Sequence, residues 1–238
     1  MSEIDYTRHY SNWHSDTPEH EQKMISFYKK EIIPFYPPEK ETKVLDIGCG
    51  MGFLLLALQN LGYNSVSGID IDEGQVKSCQ KKGLNVVQVD DSIAYLNENA
   101  EKFDFISAFD VLEHIPPEVQ IKFLKAIKNA LRQNGQFICS VPNANSVLGN
   151  RNRYIDYTHY VTFTEISLDF VLYNAGFKEI QILPMDFVSF SLKPSKFIHW
   201  LLFSISRFFR RFSFIAELGV QQGKSIPLSF NLIGLVRK

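Results

Sequence analysis

Cysteine is scarce in this sequence and neither sign of charge prevails, and each shortage removes a class of function. Cys49, Cys79 and Cys139 lie far apart with no Cys-x-x-Cys pair. That excludes a disulfide framework and a cysteine zinc site, and predicts reduced thiols in a cytoplasmic protein. Twenty-five basic against twenty-six acidic residues, with a pI near 6.6, supply no global positive field, so no nucleic-acid partner is expected. A basic start followed by an apolar run is missing, so no secretory signal is read and the mature chain is expected to begin at Met1. Acids and histidines show no compact ligand spacing, and no metal is expected. There is no internal repeat and no low-complexity linker. What is present, 45% hydrophobic residues in a chain of 238, is enough to bury a full core and rules out disorder.

From residue 43 to about 141 short β-rich runs alternate with helical segments, the pattern of stacked βαβ units and a parallel sheet. Strands are expected at Lys43–Ile47, Ser65–Ile69, Asn85–Val89, Phe103–Phe109 and Gln136–Val141. Helices are expected at Phe53–Leu61, after a cap at Asp72 as far as Gln80, and from Pro116-Pro117 to Leu131, where Asn134-Gly135 would stop the chain. Residues 143–163 show neither period and are rich in Asn, Arg, Tyr, Asp and His, and a loop of that length in a compact domain is usually functional. Thr164 caps a helix over Glu165–Ala175, and strands follow at Phe177–Leu183 and Asn231–Val236. A single domain is expected over 1–238, with a helical cover at 1–42, a cofactor-binding core at 43–141 and an acceptor-side region at 142–238.

The strongest chemical signal is Asp46-Ile-Gly48-Cys49-Gly50-Met-Gly52, where the first strand turns into the first helix. Glycines there let the backbone turn tightly and approach a ligand at the helix N-terminus. A Gly-rich turn alone would also suit a dinucleotide. Asp46 separates the two, because a carboxylate just before the glycines repels a pyrophosphate and favours a cationic ammonium group. No Gly-Lys-Ser/Thr follows, which disfavours nucleoside triphosphates. Asp70 ends the second strand twenty-two positions after Gly48, about the distance of a carboxylate that accepts from ribose hydroxyls, with Ile71 beside it as an apolar wall for a base. Asp90, Asp91 and Ser92 end the third strand. Each acid taken alone reads as a helix cap; three at successive strand ends are harder to dismiss.

In these motifs, covering roughly Lys43 to Val141 and including Phe103-Asp-Phe-Ile-Ser-Ala-Phe-Asp110-Val-Leu-Glu113-His114, the chain resembles the class I S-adenosylmethionine-dependent methyltransferases. The resemblance implies a Rossmann-like, doubly wound α/β sheet of seven strands, mostly parallel with the last strand antiparallel. It implies S-adenosylmethionine as cofactor, with Gly48, Cys49 and Gly50 at its methionine part, Asp46 near its amino group, and Asp70 with Ile71 at the ribose and base. Asp91 and Ser92 would lie at the adenine, with Asp110 in the same set. A narrower resemblance, through Val141-Pro-Asn143-Ala-Asn145-Ser, Arg153-Tyr154-Ile-Asp156-Tyr-Thr158-His159, Phe163-Thr164 and Ala175-Gly176-Phe177, is to methyltransferases of bacterial surface polysaccharide biosynthesis. It implies a sugar hydroxyl or a phosphate-type group on a glycan, a nucleotide-sugar or another small molecule as acceptor.

A hydroxyl acceptor must lose a proton, and histidine is the usual recipient near neutral pH. His159, oriented by Asp156, is the first candidate and His114 the second; the alternative is that the pair ties the long loop together. Asn143, Arg151, Arg153 and Tyr154 are read as acceptor contacts, the arginines gripping a phosphate or carboxylate or else remaining solvated. Tyr10, Trp13 and His14 are read as an aromatic cover or as packing. Six of twenty phenylalanines fall between Phe197 and Phe214, and residues 193–216 carry Lys193, Lys196, Arg207, Arg210 and Arg211 without an acid. Such a helix can be a lid, a dimer contact or a peripheral membrane contact; its charges argue against a spanning segment.

Overall fold

A computed structural model of the chain describes residues 14–188 and 190–238. Its strands are β1 (Val44–Ile47), β2 (Val66–Asp70), β3 (Val86–Gln88), β4 (Phe103–Phe109), β5 (Leu131–Pro142), β6 (Lys178–Met185) and β7 (Asn231–Arg237). They form one sheet in the order β3-β2-β1-β4-β5-β7-β6, mostly parallel, with antiparallel pairing among the last strands. The helices are α1 (Pro18–Phe27), α2 (Phe53–Gln59), α3 (Glu73–Lys81), α4 (Ser92–Glu98), α5 (Pro117–Ala130), α6 (Gly149–Tyr154), α7 (Glu165–Asn174), α8 (Pro194–Leu218) and α9 (Val220–Ser225). The described residues divide into two compact units, the first comprising 14–109, 122–138 and 237–238, the second 110–121 and 139–236.

In the first unit all four residues of β1 are buried, as a strand covered on both faces requires, and its run Val-Leu-Asp-Ile has no polar alternation except the aspartate. β1 pairs in parallel with β2 and β4, setting Asp46 opposite Gly68 on one side and Ser107 on the other. That register matters for the site. Leu45, Leu55, Leu58, Ile69, Phe105 and Ile106 fill the core around it. Gly68 is small for a reason: a Cβ there would meet the Cys49 Sγ at 2.7 Å. α3 is capped by Asp72, whose carboxylate accepts from the Gln75 amide.

In the second unit α7 starts with a capping box in which Thr164 and Ser167 satisfy each other's backbone amides. Leu168 and Leu172 of α7 are fully buried, and a Cβ on Gly234 of β7 would meet the Leu172 Cδ1 at 3.1 Å. α8 follows as the longest helix, and none of its residues is buried.

Several elements differ from the sequence expectation. β5 begins at Leu131, five positions before the expected Gln136, directly after α5 ends. Asn134, at φ +64°, and Gly135 therefore bend the strand and do not stop the helix. Gly135 sits where a Cβ would lie 2.9 Å from the Arg132 carbonyl and 3.1 Å from that of Asp104. Within the helical cover expected at 1–42, α1 ends at Phe27; the chain widens through a π turn, Tyr28–Ile32, and then tightens into a 3-10 turn containing Pro34, which has no amide hydrogen to donate. α4 and α6, neither read as an element in sequence, are each short.

Candidate active site

In the first unit Gly48, Gly50 and Gly52 all take left-handed backbone angles, φ +66°, +53° and +77°, which only glycine adopts without strain. The turn they make brings the Gly50 amide to the Asp70 Oδ2 at 2.8 Å, while the Asp72 amide donates to Oδ1 at 2.9 Å. Two backbone donors thus fix the carboxylate and leave each oxygen an acceptor site, the arrangement a ribose diol needs. Burial pushes the Asp70 carboxyl up, against the two amides that favour its charge. Ile71 is 49% exposed beside it, free to face a base.

Asp46 is buried and accepts from the Ser107 Oγ at 2.6 Å. Burial pushes its carboxyl up to about 7; the Ser107 bond opposes the shift and the Asp70 charge adds to it. A buried carboxylate held short of its ordinary acidity is one that a neighbouring cation would stabilise, so the acids present fit the ammonium and ribose of S-adenosylmethionine. The other expected contacts make hydrogen bonds within the protein. The Gly48 and Cys49 amides both donate to the Ile69 carbonyl, and the Cys49 side chain turns into the core towards Gly68. Its thiol is pushed up by the neighbouring Cys79 thiol and by burial. The Asp91 Oδ1 accepts from the Ile93 and Ala94 amides as the cap of α4, where Ser92 is the first residue.

In the second unit Asp110 follows the end of β4 in a left-handed conformation, φ +53°, costly for a residue with a side chain and characteristic of functional positions. Its carboxylate accepts through Oδ1 from the Ser140 Oγ and the Asn231 Nδ2, each at 2.9 Å, and burial pushes it up against those bonds. Asp110 belongs by contact to this unit and not to the one holding Asp46 and Asp70.

Glu113, three positions on, is fully buried, and its two carboxylate oxygens make no hydrogen bond among the described residues. Burial pushes this carboxyl well up, and the Asp110 and Asp156 charges add to the shift. The rings of His114 and His159 are 4.6 Å apart at 70°. His159 Nδ1 is 2.7 Å from the Asn152 carbonyl, an acceptor only, so Nδ1 carries the hydrogen and Nε2 of the neutral ring carries a lone pair. Thr158 donates its hydroxyl hydrogen to the Asp156 Oδ1 at 2.6 Å, so its oxygen accepts from the His114 Nδ1 at 2.8 Å, which fixes the same tautomer on His114. Asp156 thus orients His114 through Thr158. Its Oδ2 stands 3.9 Å from the His159 Nε2, beyond hydrogen bonding, and the carbonyl of Asn152 orients His159 in its place. Burial works against the charge of Asp156, but the Thr158 bonds and the two histidines hold its carboxyl below the usual range.

The expected acceptor contacts divide. Asn143 is fully buried and spends both amide hydrogens on the Pro227 and Ser229 carbonyls, so it ties the loop and offers nothing to a ligand. Arg153 donates to the His159 carbonyl and braces that loop from within. Arg151 and Tyr154 remain exposed. His14 meets His20 and Phe53, with burial and then the His20 charge lowering it to about 4, while Tyr10 and Trp13 lie outside the described residues. Sequence spacing showed no compact ligand set, yet the fold makes one. A carboxylate oxygen of Glu113 and a ring nitrogen each of His114 and His159 lie within 4.8 Å of one another. Glu113 and Thr158 stood inside the recognised motifs; Asn152 acts through its backbone, which leaves no trace in sequence.

Residues 12–182 match the family model described as "Methyltransferase domain". The ribosomal protein L11 methyltransferase of Caldicellulosiruptor saccharolyticus is 36% identical over 99 residues, 41% of this chain and 31% of that protein. The mitochondrial ubiquinone biosynthesis O-methyltransferase of Dictyostelium discoideum is 26% identical over 135 residues, 50% of this chain and 41% of that one. The chain thus spans less than half the length of these curated relatives. In structure it is similar to a SAM-dependent methyltransferase of Archaeoglobus fulgidus, at a TM-score of 0.69 and 23% identity, covering 98% of this chain and 100% of the other.

Proposed function

The chain belongs to the methyltransferase-domain family, and on that premise we propose that it is an S-adenosylmethionine-dependent enzyme that methylates a hydroxyl of a sugar or glycan acceptor, activated at His159. The observation that carries the hydroxyl reading is the tautomer of His159: Asn152 holds the hydrogen on Nδ1, which leaves Nε2 able to take a proton.

S-adenosylmethionine, when bound, supplies an electrophilic methyl group on a sulfonium centre. The protein's share is placement and proton handling. Asp70, fixed by the Gly50 and Asp72 amides, accepts from the ribose hydroxyls; Asp46 faces the ammonium, Ile71 the base, and Asp91 with Ser92 the adenine edge. His159 takes the acceptor's proton at Nε2. The imidazolium that results stands 3.9 Å from Asp156, a carboxylate already held in its charged form. Support for a glycan comes from the loop resemblance and from Tyr154 and Tyr157, 77% and 97% exposed, whose flat rings can stack on a sugar. Arg151, exposed on the same short helix, is the cation left to meet a phosphate-type group. None of the described helices is long and apolar enough to cross a membrane.

His159→Ala should lose about 10²- to 10⁴-fold in kcat while binding S-adenosylhomocysteine as tightly as the parent. Undiminished turnover would overturn the role. The acceptor is tested by mass spectrometry of nucleotide sugars, lipid-linked glycans and glycan phosphates incubated with S-adenosylmethionine. One added methyl group on a sugar hydroxyl is the expected product. Methylation confined to quinols or peptides, or cofactor binding with no turnover on any acceptor, would move the chain to another pathway or to the role of a partner subunit.

A further inference from the structure

The hydroxyl-acceptor reading leaves one group without a task. Glu113 is a carboxylic acid with no exposed surface, and neither oxygen has a hydrogen-bond partner among the described residues. Burying such a group unpaired is costly, so an unpaired one in a packed core calls for an explanation. One of its oxygens and one ring nitrogen each of His114 and His159 lie within 4.8 Å of one another. Both rings are prepared in the same sense. His159 gives its Nδ1 hydrogen to the Asn152 carbonyl, and His114 gives its own to the Thr158 oxygen, which Asp156 holds in turn. Imidazole fixed through Nδ1 by a carbonyl or a carboxylate-linked partner, with the lone pair on Nε2, is how histidine is held as a metal ligand.

We propose that Glu113, His114 and His159 form a binding site for one divalent first-row cation, which holds the acceptor hydroxyl at an open coordination position. Two imidazole nitrogens and one carboxylate oxygen suit manganese, iron, cobalt or zinc better than magnesium or calcium, which prefer all-oxygen sets. Bonds of about 2.1 Å put neighbouring donors around 3 to 3.5 Å apart, so side-chain rotations of roughly an ångström close the set. Three protein donors leave positions open, as a catalytic site needs. A hydroxyl bound there loses its proton far more readily than one in water. The oxygen then forms its bond to the methyl carbon as the carbon–sulfur bond of the sulfonium breaks. The ether, S-adenosylhomocysteine and one proton passed to solvent balance the step, and nothing is oxidised or reduced. This inference rests on the hydroxyl-acceptor reading and changes the part His159 plays in it, from recipient of the proton to holder of the ion that makes the proton leave.

The test uses the full chain, stripped with EDTA and titrated with Co²⁺, whose visible absorption reports nitrogen and oxygen ligation without any need for turnover. The expected result is one Co²⁺ per chain, with affinity weakened at least tenfold in Glu113→Gln and in His159→Ala, both still binding S-adenosylhomocysteine. If Glu113→Gln fails to bind S-adenosylhomocysteine because its core is disturbed, His159→Ala and His114→Ala carry the comparison, since both rings are only partly buried. Absence of stoichiometric Co²⁺ at millimolar free ion, or binding undiminished in the folded variants, overturns the site. An EDTA-treated enzyme at full activity combined with an inactive His159→Ala would reject the ion and keep the hydroxyl reading. Methylation of a nitrogen acceptor alone would reject that reading whatever the ion does.

Discussion

At the scale of single residues the chemistry rests on carboxyl groups placed where water cannot reach them. Asp46 ends inside a strand with both faces covered because β1 must be apolar to sit in the middle of the sheet, and the acid is carried in with it. Its carboxyl, ordinarily near 3.8, stands at about 7 in the fold through burial. The folded state therefore holds a proton that the unfolded chain gives up, and stability falls as pH rises between those two values, then levels off above 7. Asp46→Asn keeps an acceptor for Ser107 and removes the titration. Urea unfolding should find the variant about 3 to 4 kcal/mol more stable than the parent at pH 8 and nearly equal to it at pH 4. Glu113 shifts in the same direction but is present in both proteins, so it cancels. An equal gap at both pH values would show that Asp46 is not the titrating group. The same variant should bind S-adenosylmethionine more weakly if Asp46 has the proposed place at the ammonium.

Residue types and their order made the carboxylates of the first unit legible in sequence, because three acids at three successive strand ends follow from the βαβ rhythm itself. Orientation was not legible. Nothing in the sequence says that Asn143 spends its amide inside the loop, that Arg153 turns to the His159 carbonyl, or that Asn152 and not Asp156 sets the His159 tautomer. Those facts depend on how 143–163 folds back on itself, and a chain without periodicity carries no rule for that.

At the scale of elements the first four parallel strands and their helices other than α4 were legible to within a residue or two, since burial on both faces imposes apolar runs and the caps Asp72 and Thr164 announce themselves. The start of β5 was not, because Asn134-Gly135 looks the same in a helix stop and in a strand bend. α8 was legible as an apolar, basic helix, but its orientation reverses the usual one. Phe197, Ile198, Leu201, Leu202, Ile205, Phe208, Phe209 and Phe212 are all exposed, and at 3.6 residues per turn they fall on one stripe roughly 140° wide. The arginines face the other way. Arg207 clasps Asp186 through both carboxylate oxygens, Arg211 donates to the Gly223 carbonyl, and Arg210 reaches that of Asn145. An apolar stripe of this size facing outward needs an occupant. A lipid surface fits it, with the exposed Lys193 and Lys196 at the start of the helix to meet anionic headgroups and no acid before Glu217 to repel them. The protein should co-sediment with vesicles containing phosphatidylglycerol, and Phe208→Ser with Phe209→Ser should reduce the bound fraction severalfold without changing S-adenosylhomocysteine affinity. A dimer in solution that dissociates in that double variant, together with no vesicle binding at low salt, would assign the stripe to a second copy of the chain.

At the scale of the whole molecule the balanced charge conceals a division of labour between the two compact units, one carrying the acids that suit a cationic cofactor and the other the histidine cluster, the glutamate and α8. A ligand that binds only the folded state stabilises it by mass action, about 2.7 kcal/mol at a hundred times its Kd. Where that protection appears along the chain tells which residues do the binding. S-adenosylhomocysteine should slow amide exchange most in 46–52, 68–72 and 88–95, the strand ends and glycine turn that hold Asp46, Asp70 and Asp91, and should leave β6 and α8 nearly unchanged. Asp70→Ala should abolish both the rise in Tm and the local slowing, because the glycine turn loses the carboxylate that accepts from the Gly50 amide and the proposed ribose contact goes with it. NAD at the same concentration should do neither, since a pyrophosphate would have to sit against Asp46. Protection spread evenly over both units, or equal protection by NAD, would mean that the first unit is not the cofactor-binding part, and the roles given to its three acids would fall together.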